Sequence, residues 1–402
     1  VTTTSRDAPP FPWVALLTLA GAIFVSVTSE FLPTGLIPEM SADLNVSIST
    51  VGLLVTIFAG TVVIATTPLT ILTQRYSRKR LVIIVLLVIA TANVLAGLAP
   101  TYEVLVGARV LGGLAHGLFW AVVAAYAAHL VPKQQLGRAT AITAGGGSAA
   151  FVLGVPVGTA LGHALGWREA FFIIAGIVVV LAALVVKFLP PVDHRVRVAT
   201  GEIPLPFHRD RSLPGIIVIC VVIVLILTGQ NIYSTYIAPW LIEVGGFDAS
   251  AVPVLLFLFG GAGAVGLVIA GFAADRYPKR GFVVSIVVVV AAVTVLAVAS
   301  ANPVVVVIAY VVWGVAFGGV PAMLQTRLIH TASFGLRSLA AALQTTAFNI
   351  GIGVGALIGG ALINVWGIGI LPVAALVIIA VGLIANLVTD VWLSRRVRHG
   401  HA

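Results

Sequence analysis

Charge is what this 402-residue chain has least of: Asp, Glu, Lys and Arg together make up 9% of it, against about 25% in an ordinary soluble domain. A chain of this length so poor in charge is not a soluble globular protein. Cysteine is nearly absent as well. Cys220 stands alone, which rules out an internal disulfide and a cysteine-based metal cluster. The chain contains no Gly-x-x-x-x-Gly-Lys-Ser/Thr segment, so ATP drive is not expected. Its eight histidines are dispersed, and those in loops lack acids at ligand spacing, so no metal site and no other cofactor is expected. No nucleophile is paired with a base, and an enzyme is not expected.

What the chain has is apolar length. It is 60% hydrophobic, with a mean hydropathy of +1.16. Runs of roughly 20 apolar residues occur at about 11–37, 50–70, 80–99, 103–129, 138–162, 169–189, 214–240, 249–271, 281–300, 303–326, 337–363 and 368–391. In lipid such runs must be helices, because the backbone has no water to bond to. The sequence therefore predicts an all-α membrane protein with twelve transmembrane helices, its partner surface the lipid bilayer. The first run is too long for a cleaved signal segment and is read as a retained span.

The net charge of +9 would suggest nucleic acid in a soluble protein. Here the basic residues sort by side. Arg6, the cluster Arg75 to Arg80, Lys133, Arg138, Lys187, the arginines of 195–211, Arg276, Lys279, Arg280, Arg327, Arg337 and the arginines of 395–398 fall on one side. Arg168 falls on the other, and Arg109 lies within a span. The positive-inside rule makes the basic side, with both termini, cytoplasmic. The excess is topology, and no nucleic acid partner is expected.

The chain also repeats. QRYSRK at 74–79 returns as DRYPKR at 275–280, an offset of 201 that also pairs Pro38 with Pro239, Gly154 with Gly355, and Gly158 with Gly359. An offset of half the chain argues for two pseudo-symmetric six-helix bundles, residues 1–189 and 214–402. Between them, 190–213 is rich in proline and charge and reads as a cytoplasmic linker.

These features resemble the major facilitator superfamily, and within it the twelve-helix drug and sugar efflux antiporters. The resemblance rests on the loop signature GFAADRYPKR, with Asp275, Arg276, Lys279 and Arg280 in register, and on its degenerate first copy TILTQRYSRK, in which Gln74 stands for the usual Asp beside Arg75 and Arg78. It rests also on RVLGGLAHGLFW at 109–120, on Gly154-x-Pro156-x-Gly158 and on GWREAFF at 166–172. SEFLPTGLIPEM is closer to bacterial sugar and arabinose efflux proteins, with chloramphenicol-type exporters next. The resemblance implies the major facilitator fold, a monomer in a bacterial inner membrane, and export of a small-molecule substrate (a sugar, a nucleoside or an amphipathic antibiotic) in exchange for protons. A proton-coupled importer or a facilitator remains the alternative. It further implies that the loop acid and arginines latch helix ends, although simple topology anchors would use the same residues. Gly154, Gly158, Gly355 and Gly359 line helix faces that admit a close neighbour, either for static packing or at an interface that slides, and Pro156 withdraws a backbone donor.

Of the thirteen acids, Glu30 alone lies clearly inside a span. A rise of about 1.5 Å per residue puts it about 25 Å from the basic side, and puts Arg109 at a matching depth on the fourth span, about 9 Å below the opposite edge. Burying either charge alone costs roughly 2.5–3.5 kcal/mol at mid-bilayer. A pair or a water-filled cavity is therefore the expected home for each, and Glu30 and Arg109 read as a proton-coupling site, as a fixed structural pair, or as separate residues that snorkel to the interface. The repeat carries Ser29 and Glu30 onto Gln230 and Asn231. Gln230, Asn231, Tyr233 and Tyr236, with His116, Trp120 and Tyr126 from the first half and Trp313, Gln325, Gln344 and Asn349 from the second, are the candidate substrate-binding residues. Amides and phenols bind a polar solute without buried charge. Trp13, Trp167 and Trp240 suit an interfacial aromatic belt equally well.

Overall fold

Peptide groups that meet no water must bond within their own segment, and the apolar runs do so as helices. The structure is a computed structural model that describes residues 11–191, 210, 212–276 and 278–399, apart from the side chains of 124, 125, 127, 128, 133, 273–279, 334, 338 and 392–399. The helices are α1 (Trp13–Gly35), α2 (Ile37–Leu44), α3 (Ile48–Leu72), α4 (Arg78–Gly97), α5 (Tyr102–Leu130), α6 (Leu136–Ala149), α7 (Val155–Leu165), α8 (Trp167–Phe188), α9 (Leu213–Ser234), α10 (Ile237–Glu243), α11 (Val252–Arg276), α12 (Pro278–Val298), α13 (Pro303–Gly318), α14 (Val320–Thr331), α15 (Arg337–Trp366) and α16 (Leu371–His399). Among the described residues, twelve segments are long and apolar enough to cross a membrane, and each overlaps one of the expected runs. The linker expected at 190–213 lies mostly outside the described residues.

Several runs read as single helices are broken, and each break lies just ahead of a proline. Pro38, Pro239 and Pro321 stand in the first turns of α2, α10 and α14, where a missing N–H costs nothing because that donor has no helical partner, and Pro156 stands in the first turn of α7. The fifth span passes from α6 to α7 through one wide π turn at Ala150–Gly154, which absorbs the carbonyl that Pro156 leaves unpaired. The breaks after α1 and after α9 repeat at the offset that joins Pro38 to Pro239.

Glycine sets how closely the spans approach within each half. A side chain at Gly154 would collide with Thr28 of α1, and one at Gly355 would meet the Thr228 carbonyl of α9 at 2.6 Å. Gly158 faces Leu32 of α1, and Gly359 faces the Ile232 carbonyl of α9. These faces pack helices of the same half against each other, so the four glycines do not line the contact between halves. Helices before and after the linker meet where α11 packs on the π turn and α7, with Gly260 close against the Phe151 carbonyl, and where α3 lies on α15: Thr56 Oγ1 donates to the Gly353 carbonyl at 2.9 Å, and Ser49 Oγ donates to Asn364 at 2.6 Å. Ser49 opens α3 and Asn364 closes α15, so this seam is at the end away from the basic loops.

Arg327, sorted only by side from the sequence, stands near the basic end of a span that runs on to Thr331, and its guanidinium bonds Asn386 and, at 2.8 Å, Asp390, tying α14 to α16. The aromatic-belt reading is corrected at two tryptophans. Trp240 is 1% exposed and so does not belong to an interfacial belt. Trp13 is exposed, while Trp167 is buried with its indole donating to Asp43 at 3.1 Å.

Candidate functional site

Proline also shapes the polar centre of the first half. Pro33 lies inside α1, and lacking an N–H it leaves the Ser29 carbonyl, four residues back, without its helical partner. Arg109 of α5 supplies the missing donor: one guanidinium nitrogen donates to the Ser29 carbonyl at 3.0 Å and another to the Glu30 carbonyl at 2.7 Å. The guanidinium lies over the Phe58 ring of α3, 4.2 Å from its centroid. Its Nε is buried with no partner. A void of about 10 Å³ beside it is lined by Ser29, Asn93, Ala108, Arg109 and Phe171, among others, close to the smallest space that holds one water. Ser29 Oγ donates to Asn93 Oδ1 of α4 at 2.9 Å.

The Glu30 carboxyl faces the other way. Its Oε2 stands 3.2 Å from His116 Nε2, two turns along α5 from Arg109 on the same stripe. His116 Nδ1 is 2.9 Å from Ser26 Oγ, and Trp120 Nε1 donates to His116 Nε2 at 2.8 Å. Ser26 and Glu30 are four apart on α1, and His116 and Trp120 four apart on α5, so each pair shares a helix face. Phe58 closes the cluster edge-on to the imidazole at 5.3 Å. Glu30, Arg109 and His116 are each less than a tenth exposed.

The expected Glu30–Arg109 charge pair therefore takes another form. The two residues meet, but through peptide oxygens freed on α1, and the carboxyl is left to histidine. Ser26, Ser29, Phe58 and Asn93 belong to the cluster and were not singled out from the sequence. Ser26 was findable, since it precedes Glu30 by one helical turn.

In the second half, Trp313 Nε1 donates to Gln230 Oε1 at 2.9 Å, and Tyr233 stacks on the Trp313 ring with centroids 5.0 Å apart. The Tyr233 hydroxyl is buried without a partner, a donor in want of an acceptor. Asn231 turns its amide back to the Leu227 carbonyl at 2.9 Å, and Tyr236 donates to the Ala356 carbonyl at 2.8 Å. Gln344 is buried, and Asn349 donates to the Thr345 carbonyl of its own helix. The remaining candidates are not brought to these clusters. Tyr126 bonds the Pro190 carbonyl at the basic end, and Gln325 is exposed on α14. A larger cavity of about 310 Å³ opens between α9 and α15 among Ile217, Cys220, Val224, Leu343, Ala347 and Ile350, and its walls are almost wholly apolar.

At the basic end Gln74, Arg75 and Arg80 are exposed and Arg78 is half-buried. Lys79 donates to the Val186 carbonyl in the last turn of α8 at 2.8 Å, a cation placed where a helix ends in unpaired carbonyls. Arg280 is exposed, and the side chains of Asp275, Arg276 and Lys279 lie outside the described residues.

The family model of the Major Facilitator Superfamily matches residues 19–333 and 219–401. Among solved structures, a bacterial homolog of the human lysosomal transporter Spinster is similar in two inward-facing states. The unoccupied form gives a TM-score of 0.75 at 15% identity over 95% of this chain and 98% of that one. The occupied form gives 0.78 at 15% identity over 96% and 98%. At that identity the likeness is one of fold.

Proposed function

The chain belongs to the Major Facilitator Superfamily, and from that membership we propose that this multi-pass secondary transporter is an exporter driven by proton antiport. Its cargo is a small organic solute, a sugar, nucleoside or amphipathic drug, carried through alternating access by two six-helix halves, 1–189 and 214–402, joined by a linker at 190–213. The observation that carries the reading is Glu30. It is the one acid well inside the described spans, buried against a histidine rather than fixed to an arginine carboxylate-to-guanidinium. A carboxyl so placed can hold or release a proton as its partners and access change. A structural bridge would have used Arg109, which is close by and spends its donors elsewhere.

In this reading the basic end is cytoplasmic, in a bacterial inner membrane, with both termini on that side, and the protein works as a monomer. The seam of Ser49, Thr56, Gly353 and Asn364 closes the external side, so cargo enters from the cytoplasm. Trp120 and His116 on one half, with Gln230, Tyr233 and Trp313 on the other, supply aromatic faces and hydrogen bonds to a neutral solute. Gln344 and Asn349 extend that surface along α15, and the exposed basic loops, with Asp275 and Arg276, latch the cytoplasmic ends.

Direction is tested in sealed vesicles. Compounds that raise the melting temperature of the purified protein are loaded inside or outside under a pH difference of either sign. Antiport requires uphill movement of cargo against the direction of proton flow. Movement with the protons would make the protein a symporter, and flux indifferent to the pH difference would make it a facilitator.

A further inference from the structure

The donors and acceptors around His116 fix where the proton sits. An indole nitrogen is a donor only, and the Trp120 indole is 2.8 Å from His116 Nε2. Nε2 must therefore present its lone pair, since an N–H there would point at another N–H. The imidazole is then neutral with its proton on Nδ1, which donates to Ser26 Oγ at 2.9 Å. Glu30 Oε2 stands 3.2 Å from that same bare Nε2. The one in-plane lone pair of Nε2 is taken by the indole, so a carboxylate facing it would hold a second lone pair against it in a buried site, and protonation of the carboxyl removes that repulsion. The proton is on Glu30.

The surroundings offer no other holder among the described residues: α8 carries Arg168, Glu169 and Lys187 only in its end turns, Asp43 is paired with Arg168, and Glu39 of α2 is paired with His163 of α7. Glu30 is the only ionisable residue of α1, α3 has none, and the cations of α4 are Arg78, Lys79 and Arg80 at its first turn. α6 contributes Arg138, which lies over Phe11 and Trp13. On α5 the charge nearest to His116 is Arg109, whose two terminal nitrogens are taken up by carbonyls.

From this arrangement we infer that the Trp120 indole is the sensor that couples cargo to proton release, a step that rests on the antiport reading above. Trp120 is half-buried while His116 and Glu30 are buried, so the indole is the member of the chain most open to an arriving solute. A cargo bearing a hydrogen-bond acceptor, such as a hydroxyl or carbonyl oxygen, draws the indole N–H away from His116. Nε2 is then free. The Glu30 O–H bond breaks with its electron pair left on Oε2, an N–H bond forms at Nε2, and the imidazolium gives up its Nδ1 proton past Ser26 Oγ to water. The products are a Glu30 carboxylate accepting from Nε2–H, the opposite neutral tautomer of His116, and one hydrated proton. Without cargo the indole keeps Nε2 occupied, and the proton stays. Trp120 is thus a positioning residue for the proton as well as a surface for cargo, and it selects for solutes that accept a hydrogen bond.

The test needs no cargo. Infrared difference spectra of the parent and Glu30→Gln in nanodiscs near neutral pH isolate the carboxylic acid carbonyl band of Glu30, which the parent should show. Trp120→Phe keeps a ring and removes the N–H, and in that background the band should be lost as the proton leaves the carboxyl. A band of parental strength in Trp120→Phe would overturn the sensor, and no band in the parent would overturn the proton's placement. Nitrogen-15 spectra of histidine-labelled parent, with His116→Gln to assign the signal, give a check that does not depend on the Trp120 variant folding. They should show a protonated Nδ1 and a bare Nε2, and either the other tautomer or an imidazolium would overturn the assignment. Cargo flux in the parent that is indifferent to a pH difference, by contrast, would sink the antiport reading and leave the proton's location untouched.

Discussion

Arg109 and Glu30 meet through a peptide carbonyl, at 2.7 Å, while the Glu30 carboxyl lies against His116. The consequence is a division of labour on α1. Pro33 exposes the backbone acceptor that holds the cation, and the acid four residues from Ser26 is left to His116, as the proposed proton exchange requires.

That division can be tested on Arg109 directly. Lysine is a point charge that cannot span two carbonyls as the planar guanidinium does. Arg109→Lys should lower stability by about 1.5–3 kcal/mol, the usual cost of losing a charge-assisted bond. The Ser29 carbonyl should then profit from a restored backbone donor: Pro33→Ala should recover about 0.5–1.5 kcal/mol in Arg109→Gln and less in the parent. Unfolding in detergent across the four proteins gives the coupling. Equal effects of Pro33→Ala in both backgrounds would show that Arg109 contributes nothing through Ser29.

The seam between the halves makes a second expectation. Ser49 Oγ and Asn364 Oδ1 are 2.6 Å apart, so Ser49→Cys with Asn364→Cys in a Cys220→Ala background should crosslink readily. Oxidation should abolish flux and reduction should restore it, because a half that cannot part from its neighbour cannot expose the site to the far side. Undiminished flux through fully crosslinked protein would mean that this seam does not open.

Acid should release one fastening at the basic end. Asp210 accepts from Ser333 Oγ at 2.6 Å and from the Ser212 amide and hydroxyl at 2.8 and 2.7 Å. Those bonds, the one from Ser333 foremost, hold its carboxyl below the usual aspartate range. A depressed value means the fastening is present above the ordinary aspartate value of about 3.9 and is lost as pH falls through the lower folded value. Amide exchange at Ser333, compared between parent and Asp210→Asn, should differ at neutral pH and converge in acid. A difference unchanged at low pH would show that the carboxylate charge is not involved.

Cargo contacts should come from both halves. Trp120→Ala and Gln230→Ala should each weaken binding of a stabilising compound several-fold, the first through a lost aromatic face and the second through a lost hydrogen bond of about 0.5–1.5 kcal/mol. Asn231→Ala belongs in the same series, although its amide is engaged with Leu227 and its effect should be the smallest. Calorimetry that found only second-half variants affected would remove the first half from the binding surface.

The twelve spans were legible because hydropathy over about 20 residues needs no tertiary information. The depth at which Arg109 would meet Glu30 was legible too, from rise per residue alone. The facing of side chains was not, because one residue along a helix turns a side chain by about 100 degrees. His116 was singled out but its bond to the Glu30 carboxyl was not foreseen, and neither was Ser26. Arg327 was sorted by side alone because a cation near a helix end snorkels as readily as it pairs, and only packing against α16 distinguishes the two. Tyr126 and Gln325 carried the right chemistry at positions that the fold sends elsewhere.

Coupling through Glu30 is most directly tested by measuring proton movement and cargo flux together in vesicles containing parent or Glu30→Gln. The variant should keep downhill exchange of cargo while losing both cargo-driven proton movement and accumulation driven by a pH difference. The same proton-to-cargo ratio in both proteins would show that Glu30 carries no proton in the cycle.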